Sequence, residues 1–365
     1  MRLLRSLPWL LAALLGGCAP RAKDDAPERA PEAAASSLLP RPYRARVDAA
    51  VRENEGCVSC HDDVAEEWRA SLHQRASRDP AYRAALELEN SPFCRGCHAP
   101  ESDPRAENEG DASALGVACV TCHVPAEGIV LAARHGESEE AESAPHTLLR
   151  SAEFAGPGAC AACHEFRFPA RHGETDEDFM QTTVREHARS AAAERPCAEC
   201  HMPLRSGRRS HAFSSVRDPE YLRAALQIDL ERVDREHVRW TLKQRDPGHA
   251  FPTGDLFRRL TVGATLLDAE GRPIRREERH LTRHFERVEG RPERALVRDD
   301  RLQGAPVSVE LELLPPPGGG RPTTLRAFVA YQRVAAIGDG LDPSEVTVES
   351  EVLLHERTFA WENAR

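Results

Sequence analysis

Five copies of one pentapeptide constrain this chain more than anything else in it. They are Cys57-Val-Ser-Cys60-His61, Cys94-Arg-Gly-Cys97-His98, Cys119-Val-Thr-Cys122-His123, Cys160-Ala-Ala-Cys163-His164 and Cys197-Ala-Glu-Cys200-His201. C-x-x-C-H is the attachment signature of c-type haem. Two thiols one helical turn apart can add to the two vinyl groups of a porphyrin. The residue that follows is then held beneath the ring, where its imidazole becomes the proximal iron ligand. Zinc also takes Cys pairs and His, but a zinc ribbon does not require a His directly after each second Cys. Five pairs, moreover, do not divide into two-pair sites. The expected cofactor is therefore five haem c, bound by Cys57, Cys60, Cys94, Cys97, Cys119, Cys122, Cys160, Cys163, Cys197 and Cys200, with His61, His98, His123, His164 and His201 as proximal ligands.

Composition agrees with this reading. Aromatic residues make up only 5% of 365 residues, thin for a self-sufficient core of that length, and porphyrin supplies apolar mass. The formal charge of -10 argues against nucleic acid, whose phosphates demand a basic face. It suits a redox partner with a basic docking surface. Of eleven cysteines, one remains after five pairs, Cys18, so no disulfide framework is available. Covalent haem attachment also places the chain outside the cytoplasm.

Arg2 and Arg5 precede a short apolar run, Leu7 to Leu15, that reads as a signal peptide. It ends in Leu15-Gly16-Gly17-Cys18, which resembles a bacterial lipobox. That resemblance implies lipidation at Cys18, at the end of a leader over 1–18, and a membrane anchor, with the outer membrane favoured by Ala19. Residues 19–50 are rich in Ala and Pro, without an apolar period, and read as a disordered tether. Residues 51–231 hold the motifs, with short helices between them. Arg78-Asp79-Pro80-Ala81-Tyr82 is echoed by Arg217-Asp218-Pro219-Glu220-Tyr221, each an Asp cap followed by Pro in the first helical turn. From 235 to 365 alternating, β-branched segments take over: His237 to Gln244, Leu260 to Leu267, Val307 to Leu313, Thr324 to Val334 and Val346 to Phe359. The expected fold is multidomain: a haem-rich, mainly α and irregular domain followed by a small antiparallel β-sandwich.

Trp68-Arg69-Ala70-Ser71-Leu72-His73, Cys163-His164-Glu165-Phe166, Cys200-His201-Met202-Pro203 and Gly248-His249-Ala250-Phe251-Pro252-Thr253-Gly254 resemble segments of multihaem c-type cytochromes of the cytochrome c-552/c-554-like group. The likeness covers most of 51–265. It implies that His73 and His211 are distal ligands, and it extends that role to His146 and His249. For a fifth distal ligand His135, His172 and His187 are candidates, with His135 put first. His237, His280, His284 and His355 fall on expected β segments and read as structural or exposed.

An iron with two His ligands is closed and suited to carrying electrons, whereas one with an open position can bind a substrate. The expected function is electron transfer in the cell envelope by a membrane-anchored pentahaem cytochrome, a carrier rather than an enzyme. The alternative is an oxidoreductase acting on a small nitrogen or sulfur species at a five-coordinate haem. No catalytic constellation stands out in the sequence.

Overall fold

Four of the Cys-x-x-Cys-His motifs end a helix of five or seven residues, and the first ends a longer one with His61 just past its last turn, because Cys, Cys and His must share about one turn to converge on one ring. The computed structural model describes residues 38–105, 110–134, 145–169, 171–213, 218–287, 289–290, 294–335 and 346–361. The leader and Cys18 lie outside the described residues, as does His135. The motif helices are α1 (Val47–Cys60), α4 (Pro92–His98), α6 (Cys119–His123), α8 (Gly158–His164) and α10 (Cys197–His201). Between them lie α2 (Asp62–Ala70), α3 (Pro80–Leu88), α5 (Gly110–Leu115), α7 (Ala152–Ala155) and α9 (Thr183–Ala188), with α11 (Pro219–Ala224) after the last. Short strand pairs join them: β1 (Val130–Ala133) with β2 (Leu148–Ser151), β3 (Glu165–Arg167) with β4 (Phe179–Thr182), and β5 (Leu204–Arg205) with β6 (Arg208–Arg209). Among the described residues no helix is long and apolar enough to cross a membrane.

The remainder is antiparallel β structure. A three-stranded sheet has β8 (His237–Gln244) between β7 (Leu226–Arg232) and β13 (Val307–Glu312). A four-stranded sheet runs β10 (Pro273–Leu281), β9 (Arg258–Leu267), β14 (Thr324–Val334) and β15 (Val348–Ala360). Strands β11 (Arg283–Arg287) and β12 (Arg294–Asp299) pair separately. Trp240, Leu242 and Leu230 from the first sheet and Leu260, Val262 and Val329 from the second belong to one buried cluster. The alternation of β8, half-buried then buried along His237–Gln244, follows from a strand with one face on that core.

Two expectations change. The tether does not extend to residue 50. Arg44 and Arg46 hold the buried carboxylate of Glu101 at 3.3 and 2.9 Å, and α1 begins at Val47. The charges that made this stretch look solvated are spent on one buried acid, which also accepts from the Thr121 hydroxyl at 2.9 Å. The β region starts at Leu226 rather than near 235, since the alternating burial of Leu226 and Leu230 continues directly from α11. Residues Leu38–Arg365 form one compact unit.

Candidate haem sites

All ten motif cysteines are free thiols in the polypeptide, and all ten line one cavity of about 3130 Å³. Pockets for a single small ligand hold roughly 300–1,000 Å³, so this space is several ligands large. The motif histidines line it too, together with His73, His146, His211 and His249. Among the described residues no three Cys, His, Asp or Glu side chains close round a point as a zinc site would require.

The histidines stand in facing pairs drawn from distant parts of the chain. His61 and His146 have ring centroids 6.5 Å apart. His73 and His164, His123 and His211, and His201 and His249 are each 6.1 Å apart. Two imidazoles on opposite sides of one metal, each with a metal–nitrogen bond of about 2 Å, place their centroids roughly 6 Å apart. The four spacings fit an iron between each pair, and the cavity fits the porphyrins round them. His172 is exposed and His187 is buried in α9; neither is paired with a motif histidine among the described residues.

Local sequence explains how each second histidine is delivered. In Trp68-x-x-Ser71-x-His73, the Trp68 indole donates to the Val117 carbonyl at 2.8 Å and pins the end of α2. The Ser71 hydroxyl donates back to the Trp68 carbonyl at 2.7 Å, the helix stops, and His73 turns into the cavity. His211 is steadied by Glu67, which accepts its backbone N–H at 2.7 Å and also holds Arg208 at 3.0 Å. The Arg208 side chain is engaged with Asp63 and Glu67 of α2.

Several rings have Nδ1 occupied, which leaves Nε2 for metal. The Nδ1 of His98 meets the Ala76 carbonyl at 2.8 Å and that of His123 the Leu131 carbonyl at 2.8 Å. The Nδ1 of His211 meets the Arg209 carbonyl at 3.0 Å and that of His249 the Ala250 carbonyl at 2.9 Å. Burial lowers His73 to about 3 and His164 to about 4, so both rings are neutral at pH 7 with a lone pair to offer.

The repeated Asp-Pro-x-Tyr segment has a use that sequence alone did not reveal. Asp79 caps α3 and Asp218 caps α11 through their carboxylates. In each case the tyrosine that follows meets a motif histidine. Tyr82 stacks on His98 with centroids 4.0 Å apart, and the Tyr221 hydroxyl lies 3.4 Å from the Nδ1 of His201.

Neighbouring motifs touch. The thiols of Cys97 and Cys163 shift each other's acidity, as do those of Cys160 and Cys197. Cys57 acts electrostatically on Cys119, and Cys122 on Cys160 and Cys163. The fourth motif is therefore the hub: the second and fifth adjoin it directly, and the first reaches it through the third.

Also missed from sequence is a charged group at the cavity wall. Asp255 accepts from Arg333 at 3.0 Å and from Arg258 at 3.4 Å, and Arg258 donates to the Tyr331 hydroxyl at 3.2 Å. These residues are spread over 255–333, and no local motif marks them. Burial alone would raise Asp255, but the two guanidiniums hold it at about 2, below its ordinary 3.8. Between those values the unfolded chain binds more protons than the folded one, so this contribution to stability falls as pH drops from about 4 to about 2. An acid titration of stability should show that limb in the parent protein and a flatter one in Asp255→Asn.

Residues 56–124 match the family described as cytochrome c554 and c-prime. A penta-heme cytochrome c552 from Thermochromatium tepidum shares the fold, with a TM-score of 0.61 and 18% identity over 84% of this chain and 98% of that one. A glycosyl hydrolase family 2 member from Bacteroides cellulosilyticus aligns over 38% of this chain and 13% of that one, at 9% identity and a TM-score of 0.16. No curated protein matches the chain. The family match spans the first three motifs, and the fold is shared over most of the chain.

Proposed function

We propose that this chain binds five haem c and conducts electrons between redox partners in the cell envelope, tethered to a membrane through Cys18. The observation that carries the reading is the set of four facing imidazole pairs at 6.1–6.5 Å in one shared cavity. Haem, when bound, supplies one-electron iron chemistry. The polypeptide fixes the spacing of the sites and closes four of the irons to substrate with a second imidazole. Adjacent cysteines of the second, fourth and fifth motifs bring those sites side by side, which short electron hops need. The two larger sheets, read as a sandwich, act as a buttress that contributes His249. The net charge of -10 suits a partner with a basic surface.

The test is reoxidation of the dithionite-reduced protein by a cationic ammine-ruthenium complex. All haems should reoxidise together in one fast phase that slows with added salt. Separate slow phases for individual haems would contradict conduction. The second reading, an oxidoreductase, is favoured by one feature: among the described residues His98 does not share the pairing of the other four motif histidines.

A further inference from the structure

One ligand ring differs from its neighbours at Nδ1. At His98, His123, His211 and His249 that nitrogen meets a backbone carbonyl. At His164 it meets the side-chain amide nitrogen of Gln181, 3.5 Å away. The pairing of β3 with β4 brings Gln181 there, because it stands opposite Phe166, two residues after His164.

The two ends of an amide have the same shape, so the hydrogen bonds round it decide which end points where. Here they trace back to Glu186. Every partner of its carboxylate among the described residues is a donor: Arg301 at 2.8 Å, the Ala250 backbone N–H at 3.2 Å, the Thr253 hydroxyl at 2.7 Å and the Thr182 hydroxyl. Having given its one proton to Glu186, the Thr253 hydroxyl can only accept from Thr183, 2.9 Å away. The Thr183 hydroxyl, spent in turn on Thr253, accepts from the Gln181 amide nitrogen at 3.1 Å. That nitrogen therefore faces His164 as well. With Nε2 on iron, a neutral imidazole carries its proton on Nδ1, and at His164 this N–H meets a donor where the other rings meet an acceptor. A carbonyl at Nδ1 makes the ring a more basic ligand, which favours ferric iron; a donor there withholds that help.

We propose that Glu186, acting through Thr253, Thr183 and Gln181, raises the reduction potential of the haem at Cys160, Cys163 and His164, so that electrons collect at the hub of the motif network. This deepens the electron-transfer reading and rests on the motifs being haem sites. The four residues are positioning residues, acting on the iron only through its ligand. The same carboxylate holds Ala250, whose carbonyl meets the Nδ1 of His249 at 2.9 Å. One buried acid thus leaves the fourth site without an acceptor and steadies the acceptor of the fifth, which makes transfer from the fifth haem to the fourth downhill.

The test is a potentiometric titration of the holoprotein, with the haems followed separately through their paramagnetically shifted methyl resonances. Thr253→Val removes one hydroxyl and no charge. It frees Thr183 to donate to the Gln181 oxygen, and the amide then turns that oxygen to His164. One midpoint should fall by about 59 mV, a tenfold loss in a one-electron equilibrium. Thr183→Val interrupts the same chain and should give the same fall, should Thr253→Val not fold. In a Gln181→Leu background Thr253→Val should lower nothing, because no amide is left to turn. Midpoints unmoved in both single variants would overturn the proposal, as would a fall that persists without Gln181, the mark of a structural disturbance alone. A parent protein without five one-electron steps would instead reject the underlying haem reading.

Discussion

Glu186→Ala is expected to cost about 3–5 kcal/mol of folding stability, the usual penalty for stranding one partner of a buried ion pair. Glu186 lies on α9 in the motif-bearing region, and its partner Arg301, 2.8 Å away, comes from the β region; both side chains are at most 10% exposed. The same carboxylate accepts from the Thr253 hydroxyl at 2.7 Å and from the backbone N–H of Ala250 at 3.2 Å. It therefore fixes the loop that presents His249 to His201. Removing it leaves the Arg301 guanidinium with Asp299 and the Pro252 carbonyl in a site built for two acids. Chemical denaturation of the holoprotein should show the loss, and Glu186→Gln should recover part of it by keeping the hydrogen bonds. A change within about 0.5 kcal/mol, as for an ordinary surface site, would mean that the two regions are not joined here.

His73→Ala should convert a closed site into an open one. His73 faces His164 at the hub of the motif network, and its ring is neutral at pH 7 because burial lowers it to about 3. Alanine leaves His164 as the only imidazole at that iron. The reduced variant should therefore bind one more carbon monoxide per chain than the parent, and its oxidised spectrum should gain high-spin character. Because the fourth motif adjoins the second, third and fifth, reoxidation by the ruthenium complex should also lose its single fast phase. An unchanged carbon monoxide count would place the second ligand of that iron elsewhere.

The parts legible in the sequence were those with a local signal. The motifs are read within five residues, and the Trp-x-x-Ser-x-His segment carries its own turn. Strands β8 and β14 match the alternating segments His237 to Gln244 and Thr324 to Val334 because one face of each is apolar. Strand β10 was invisible, since Pro-Ile-Arg-Arg-Glu-Glu-Arg-His-Leu is an edge strand with largely polar residues on both faces, and only pairing with β9 makes it a strand. The cluster of Asp255, Arg258, Tyr331 and Arg333 was hidden for another reason: it is assembled by the register of β9 against β14, which brings Arg258 opposite Arg333 and Leu260 opposite Tyr331. The pairing of each motif histidine with its partner was likewise a matter of tertiary arrangement. His73 lies between the first and second motifs in sequence, yet it faces the fourth.

The intact mass of the protein, purified from a host that matures c-type cytochromes, tests the central claim most directly. The account predicts a polypeptide carrying five covalently bound porphyrins, one for each Cys-x-x-Cys-His. A colourless protein, or one at the bare polypeptide mass, would contradict it.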